Sequence, residues 1–289
     1  MAKLQHYVPQ SYLRHFAAEN GKTPKIWCFD KFTRQAFKTN VRNIAAEKHF
    51  YHPQNDQEQP VEDLLARVET EFAQARRRLL QLTDGQTLAD QDRAIVALFL
   101  AAQMVRTREH RAQLEQVNEI MRDFLMSNPT EELQRLYGVY NADTIRQQQV
   151  DNLLTDFVPT LGEIILKMKW LLLFNETDQP FWTSDNPIAL FNPVNLGVRG
   201  NLGLKCDGIQ AFLPLSPSVT FAVCDPKMYA EMPIRGNLTP ENVAFQNSLQ
   251  VNGATRYLFG PEAKFDLANE VLTDHPELAD PERRRVLRG

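Results

Sequence analysis

The chain has little of what usually betrays a function. Among its 289 residues only three are cysteine, namely Cys28, Cys206 and Cys224, widely spaced and in no Cys-x-x-Cys pair. That number and spacing exclude a disulfide framework and a cysteine zinc site, leaving three reduced thiols that we expect in the interior. Long apolar runs are missing as well: the longest covers residues 94–102, well short of the roughly 20 residues that a membrane span requires. The opening Met-Ala-Lys-Leu-Gln-His carries no apolar signal-peptide core, so the expected location is the cytoplasm. There is no excess of positive charge. With a net charge of -4 and a pI near 5.9, nucleic acid or a nucleotide would have to be held by a local basic patch. Finally, Gly-x-x-x-x-Gly-Lys, Gly-x-Gly-x-x-Gly, Gly-x-Ser-x-Gly and His-Glu-x-x-His are all absent, which removes the common nucleotide, dinucleotide, serine-hydrolase and zincin classes.

What is present is an ordinary globular composition, 43% hydrophobic and 24% charged, long enough for one large domain. The organising stretch is residues 170–187. It reads as two apolar strands joined by a polar turn over 175–180, the second running into Ser184-Asp185-Asn186-Pro187. Short apolar runs bounded by turn formers predict strands buried on both faces. Pro187 restricts Asn186 to extended geometry. A hydroxyl, a carboxylate and an amide are therefore aimed stiffly at the mouth of a buried strand, which describes a site and, more commonly in the absence of a metal or nucleophile signature, an Asx-type turn.

Elsewhere, Pro9 suits the first turn of a helix that places Tyr12, Leu13 and Phe16 on one face. His6, just before it, fits a structural hydrogen bond, a proton shuttle or a metal ligand. Residues 25–30 and 34–38 predict a hairpin, 54–59 a polar loop, and 61–82 a helix. A second helix over about 90–126 is apolar all round at 94–102, and Gln103, Arg106, Thr107 and His110 then share one face. Either Gln103 and Arg106 line a pocket, or Arg106, Arg108 and Arg111 form a solvated helix end. Asn128-Pro129 breaks the pattern, 131–150 predicts a weaker helix, and 155–169 is interrupted by Pro159 and Gly162. The stretch 191–207 reads as a loop, 210–215 and 219–224 as paired strands, and Thr239-Pro240 as the start of a helix to about 251. A last strand follows at 255–259. The charged tail, about 278–289, is expected in solvent. The fold class is α+β: a mainly antiparallel sheet built from the N-terminal hairpin and the C-terminal strands, with a large helical layer inserted at about 61–168.

His6-Tyr7-Val8-Pro9-x-x-Tyr12-Leu13-Arg14-x-Phe16, Thr183-Ser184-Asp185-Asn186-Pro187 and Pro214-Leu215-Ser216-Pro217, in this order, resemble the bacterial domain-of-unknown-function family 4238. Glu47 ahead of an aromatic pair, Gln103 and Arg106 on the apolar helix, and Asn247 are similar to that family too. The resemblance brings no agreed reaction. It implies that His6, Glu47, Arg106, Asp185 and Asn247 form one constellation. Such a set can support hydrolysis of a phosphodiester, as in a nuclease: Glu47 and Asp185 hold a divalent metal ion, His6 activates water and Arg106 steadies the developing charge. Ser184 as a nucleophile is the weaker version. The alternative is a non-enzymatic ligand- or protein-binding module in which Arg106 pairs with Asp185 or Glu47 as a structural lock.

Overall fold

In the computed structural model, which describes residues 4–51, 58–127, 130, 142–194 and 201–286, the chain opens with strand β1 (Leu4–His6). Pro9 is the N-cap of helix α1 (Gln10–Leu13) rather than its first helical residue, and a 3-10 turn, Arg14–Phe16, extends it. The expected hairpin forms from β2 (Lys25–Asp30) and β3 (Gln35–Asn40). Its turn is closed by Asp30 Oδ1, which accepts from Phe32 N at 3.0 Å, and by Arg34 at a φ of 57°. Strand β4 (Ala46–Lys48) returns to pair antiparallel with β1.

The helical layer follows, with α2 (Glu58–Gln81), α3 (Asp90–Val105), α4 (Arg108–Ser127), α5 (Ala142–Leu154) and α6 (Phe157–Leu166). The apolar middle of α3 lies between α2 and α6. There the Phe72 and Phe99 rings stack at 3.6 Å, and each such fully buried side chain contributes about 1.5–3 kcal/mol. The single helix expected over 90–126 is two helices. Arg106 leaves helical geometry at φ -85°, ψ 0°, Thr107 Oγ1 caps the next turn by accepting from His110 N at 3.2 Å, and the Gln149 amide donates to the Val105 and Thr107 carbonyls at 2.9 and 3.0 Å. A capping hydroxyl and an inserted amide satisfy the freed backbone groups, so the break is stable. Helix α6, by contrast, is continuous through Pro159 and Gly162, because Pro159 falls in the first turn, where no N–H is required. Residues 54–57 of the expected polar loop, the Asn128-Pro129 break, 131–141 of the weaker helix and 195–200 of the expected loop lie outside the described residues.

The remaining elements are β5 (Lys169–Asn175), β6 (Thr183–Ser184), β7 (Ala189–Phe191), β8 (Gln210–Ser216), β9 (Val219–Cys224), β10 (Arg235–Leu238), α7 (Pro240–Gly253), β11 (Tyr257–Gly260) and α8 (Asp266–Asp274). They form two larger sheets rather than one, ordered β10-β5-β9-β8-β7 and β3-β2-β11-β6. All neighbours are antiparallel except β10 and β5. The two apolar strands of 170–187 do not pair with each other: β5 lies inside the first sheet and β6 at the edge of the second. Strands from both ends of the chain share that second sheet. Thr239 caps α7 with Pro240 in its first turn, as expected, and Asn242 completes a reciprocal capping box.

Two further expectations are corrected. The three cysteines are free, but only Cys28 and Cys224 are buried; Cys206 is half-buried. The tail is solvated only in part: Asp280, Pro281, Glu282 and Arg284 are exposed, but its other described residues are not. Arg283 and Arg285 lie against the protein and reach Glu109 at 3.2 Å each, while Gln116 Oε1 accepts from Arg285 N and Val286 N at 2.7 and 3.1 Å. Among the described residues no helix is long and apolar enough to cross a membrane.

Candidate functional site

The β1/β4 ladder places Gln5 opposite Glu47 and His6 opposite Ala46. Directly paired residues share a face and successive ones alternate, so His6 and Glu47 lie on opposite faces of this ladder. Both ring nitrogens of His6 have partners, Nε2 with the Arg42 carbonyl at 3.1 Å and Nδ1 with Gln10 Nε2 at 3.5 Å. A carbonyl on one side and an amide donor on the other select the tautomer protonated on Nε2. Burial, with the Arg106 charge adding to it, holds this imidazole below its usual pKa.

Arg106, at the break between α3 and α4, is buried. Its Nη1 donates to Glu69 Oε1 at 2.8 Å, its Nη2 to the His6 carbonyl at 2.8 Å and its Nε to Tyr51 Oη at 3.3 Å. The acid it pairs with is therefore Glu69 of α2, neither Asp185 nor Glu47. Glu47 instead receives Arg108 at 2.8 Å, a partly exposed pair worth about 1 kcal/mol or less. Gln103 Nε2 donates to the Tyr7 carbonyl at 3.0 Å. Gln103 and Arg106 thus hold the backbone of residues 6 and 7 against the helical layer. The solvated helix end is also corrected: Arg111 lies over the Phe50 ring at 3.8 Å and donates to Gln149 and the Phe50 carbonyl.

The second group gathers around α7. Asp185 is fully buried and accepts three backbone N–H groups, from Thr255 on Oδ1 at 2.8 Å and from Arg256 and Tyr257 on Oδ2 at 2.9 and 3.0 Å. Burial raises its pKa, against the pull of those donors and of Lys31. Lys31 does the complementary work. From a fully buried position its Nζ donates to the Val251 and Ala254 carbonyls at 2.6 and 2.8 Å, and burial, followed by the Arg283 charge, brings its pKa down to about 7. One acid and one amine so satisfy the donors and acceptors left where α7 ends and β11 begins. Asn247 works in the same manner at the entrance to β6, accepting from Trp182 N at 2.9 Å and donating to the Pro180 carbonyl at 3.0 Å. Ser184 Oγ sits 2.8 Å from both Gln250 Oε1 and the Asn186 carbonyl and accepts from Asn186 N at 3.2 Å. These are the partners of a turn hydroxyl.

The motif stretches meet at one hydroxyl. Tyr12 donates to the Pro214 carbonyl at 2.6 Å and accepts from Thr183 Oγ1 at 2.7 Å. Of the sequence-predicted residues, the structure brings His6, Gln103 and Arg106 into one cluster and Ser184, Asp185 and Asn247 into another. Among the described residues no hydrogen bond or ion pair joins His6 or Arg106 to Asp185, and no three His, Cys, Asp or Glu side chains gather in a way that could hold a metal ion. Between the clusters stands Tyr7, whose hydroxyl pKa is raised by burial and then by Asp185.

A cavity of about 460 Å³ opens on the other side of the helix break. Thr107, Glu109 and His110 line it with Met104, Leu161, Ile164, Ile188, Leu202, Leu204 and Lys205, and none of the seven residues singled out above is among its walls. The break at Arg106 turns Gln103 and Arg106 toward the N-terminal strand and leaves Thr107 and His110 for the cavity, so the face these four were expected to share does not exist. Lys31, Glu69, Glu109 and Arg283 escaped sequence reasoning because an isolated charged residue in a turn, a helix or a tail carries no local sign that it will be buried. Comparison with curated proteins and with solved structures finds no match. Residues 4–264 match the family described as protein of unknown function (DUF4238), and the chain belongs to that family.

Proposed function

We propose that the protein is a non-enzymatic ligand-binding module, and that His6, Arg106 and Asp185 are structural fastenings of its fold, while Glu47 pairs with Arg108 at a partly exposed edge. The observation that carries this reading is the use already made of the polar atoms of His6, Arg106 and Asp185. All three nitrogens of Arg106 and both oxygens of Asp185 have protein partners. A general base, a metal ligand or an anion clamp needs an atom free to meet substrate. Removing these partners costs desolvation without a compensating bond. The register of β1 against β4 adds to this, because it sets the nominated base and one nominated acid on opposite faces.

The rival is metal-assisted phosphodiester hydrolysis. Purified protein is incubated with bis(p-nitrophenyl) phosphate, single-stranded DNA and RNA in the presence of magnesium or manganese. The binding reading expects no rate that differs between wild type and His6→Ala. Metal-dependent hydrolysis that disappears in both His6→Ala and Glu47→Gln, with the circular dichroism of each variant unchanged, would overturn it.

A further inference from the structure

An orphaned imidazole and an apolar cavity coincide. His110 Nε2 is enclosed and has no hydrogen-bond partner, a condition that costs about 1–3 kcal/mol in a finished interior. Its ring lines the 460 Å³ cavity, whose volume lies within the range of about 300–1,000 Å³ that small-molecule sites occupy. Burial takes this imidazole down to about 4, so near neutrality it is uncharged and adds no cation to the cavity. Around it most of the wall is apolar, contributed by α3, α6 and the segments flanking β7, and its polar members are Thr107, Glu109, Gln113, Asn186 and Lys205. At the mouth, Phe157 and Leu202 leave 42% and 49% of their surfaces in water, apolar area that an occupant would cover.

The charges decide what the occupant carries. Glu109 is the acid in the wall, and Arg283, Arg285 and Thr255 already neutralise and saturate it. Lys205 is exposed at the rim and has no ion-pair partner among the described residues. The field at the mouth therefore favours a single negative charge, while the inner end favours none.

Resting on the binding reading above, we infer that this cavity takes a small monoanionic amphipathic molecule. Its aromatic or branched apolar body lies between Ile164 and Ile188 beside His110, and a carboxylate or sulfonate head meets Lys205.

Two dyes with the same ring system test this on the full-length protein: 8-anilinonaphthalene-1-sulfonate, which is anionic, and N-phenyl-1-naphthylamine, which is neutral. Fluorescence titration is expected to show one saturable site with the anion bound about tenfold more tightly, the size of one favourable charge contact. Lys205→Glu should weaken the anion to the level of the neutral dye or below while leaving the neutral dye unchanged; this residue is exposed, so the variant folds. Ile164→Trp should displace both dyes. Met121→Ser, on the exposed apolar face of α4, should affect neither. Equal affinity for the two dyes, indifference of the anion to Lys205→Glu, or loss of binding in Met121→Ser would overturn the proposal. Such a failure, with no hydrolysis found, would topple the site and leave the non-enzymatic reading standing. Hydrolysis dependent on His6 and Glu47 would topple that reading whatever the dyes do.

Discussion

Arg283 Nη2 reaches Glu109 Oε1 at 3.2 Å across 174 positions of sequence, and both side chains are more than nine-tenths buried. The acid stands in the first turn of α4, where the helix N-terminus also favours negative charge. Its other oxygen receives Arg285 Nε at 3.2 Å. The last described residues, 281–286, therefore act as a strap over a buried carboxylate, and they lie beyond the part of the chain that matches the family.

Removing the strap is expected to be costly. Truncation after Asp280 strands Glu109, and breaking a buried pair from one side costs about 3–5 kcal/mol. In a chain of this size that lowers Tm by roughly 10 °C. Differential scanning calorimetry decides it: a midpoint within a degree of wild type would show that the tail contributes nothing.

Arg106→Ala is expected to destabilise by about 3 kcal/mol, the low end for a buried pair, because Glu69 keeps 24% of its side chain in solvent and can rehydrate. The Arg106→Ala/Glu69→Ala double variant should cost less than the two single changes added together, since each already removes the same contact. Urea unfolding of the four proteins reads the coupling. Strict additivity would mean that Arg106 acts through the His6 carbonyl and Tyr51 alone.

Asp185→Asn keeps the shape and one acceptor but turns an N–H₂ toward backbone donors. One or two of the Thr255, Arg256 and Tyr257 N–H groups then lose their partner in a fully buried place, at about 1–3 kcal/mol each. A loss of roughly 3 kcal/mol with faster amide exchange at residues 255–257 is the expected result. Unchanged exchange there would contradict the anchoring role.

His110 makes stability depend on pH. Its folded pKa, near 4, lies below the ordinary value of 6.5, so between these limits the unfolded chain binds a proton that the folded one refuses. Stability therefore rises with pH in this window: the contribution is complete above 6.5 and is lost as pH falls toward 4. It amounts to about 2 kcal/mol once the solvent-reached part of the ring is allowed for. Comparing urea midpoints of wild type and His110→Phe from pH 7 to 4.5 isolates it. Parallel curves, or an imidazole resonance titrating near 6.5 in the folded protein, would rule it out.

Much of the secondary structure was legible from short-range chemistry. The β2/β3 hairpin, the paired β8 and β9 strands and the Thr239 capping box depend on residues a few positions apart, and the apolar run at 94–102 announces a buried helix by itself. The motif stretches at 6–16, 183–187 and 214–217 also marked residues that meet, since Tyr12 joins Thr183 to the Pro214 carbonyl. Partners were another matter. Nothing near Arg106 says that Glu69 rather than Glu47 or Asp185 will lie within 2.8 Å of it, because a guanidinium pairs with whichever acid the packing of α2 against α3 delivers. The helix break at 106 required Gln149 to arrive from α5. Its consequence, Thr107 and His110 turned into a cavity that Gln103 and Arg106 do not reach, is likewise a property of assembled elements. Local spacing determines which segments become helices and strands through hydrogen bonds and apolar periodicity within a few residues. Which charges are buried, with whom, and where a cavity remains depends on contacts between segments far apart in the chain, and those exist only once the tertiary structure has formed.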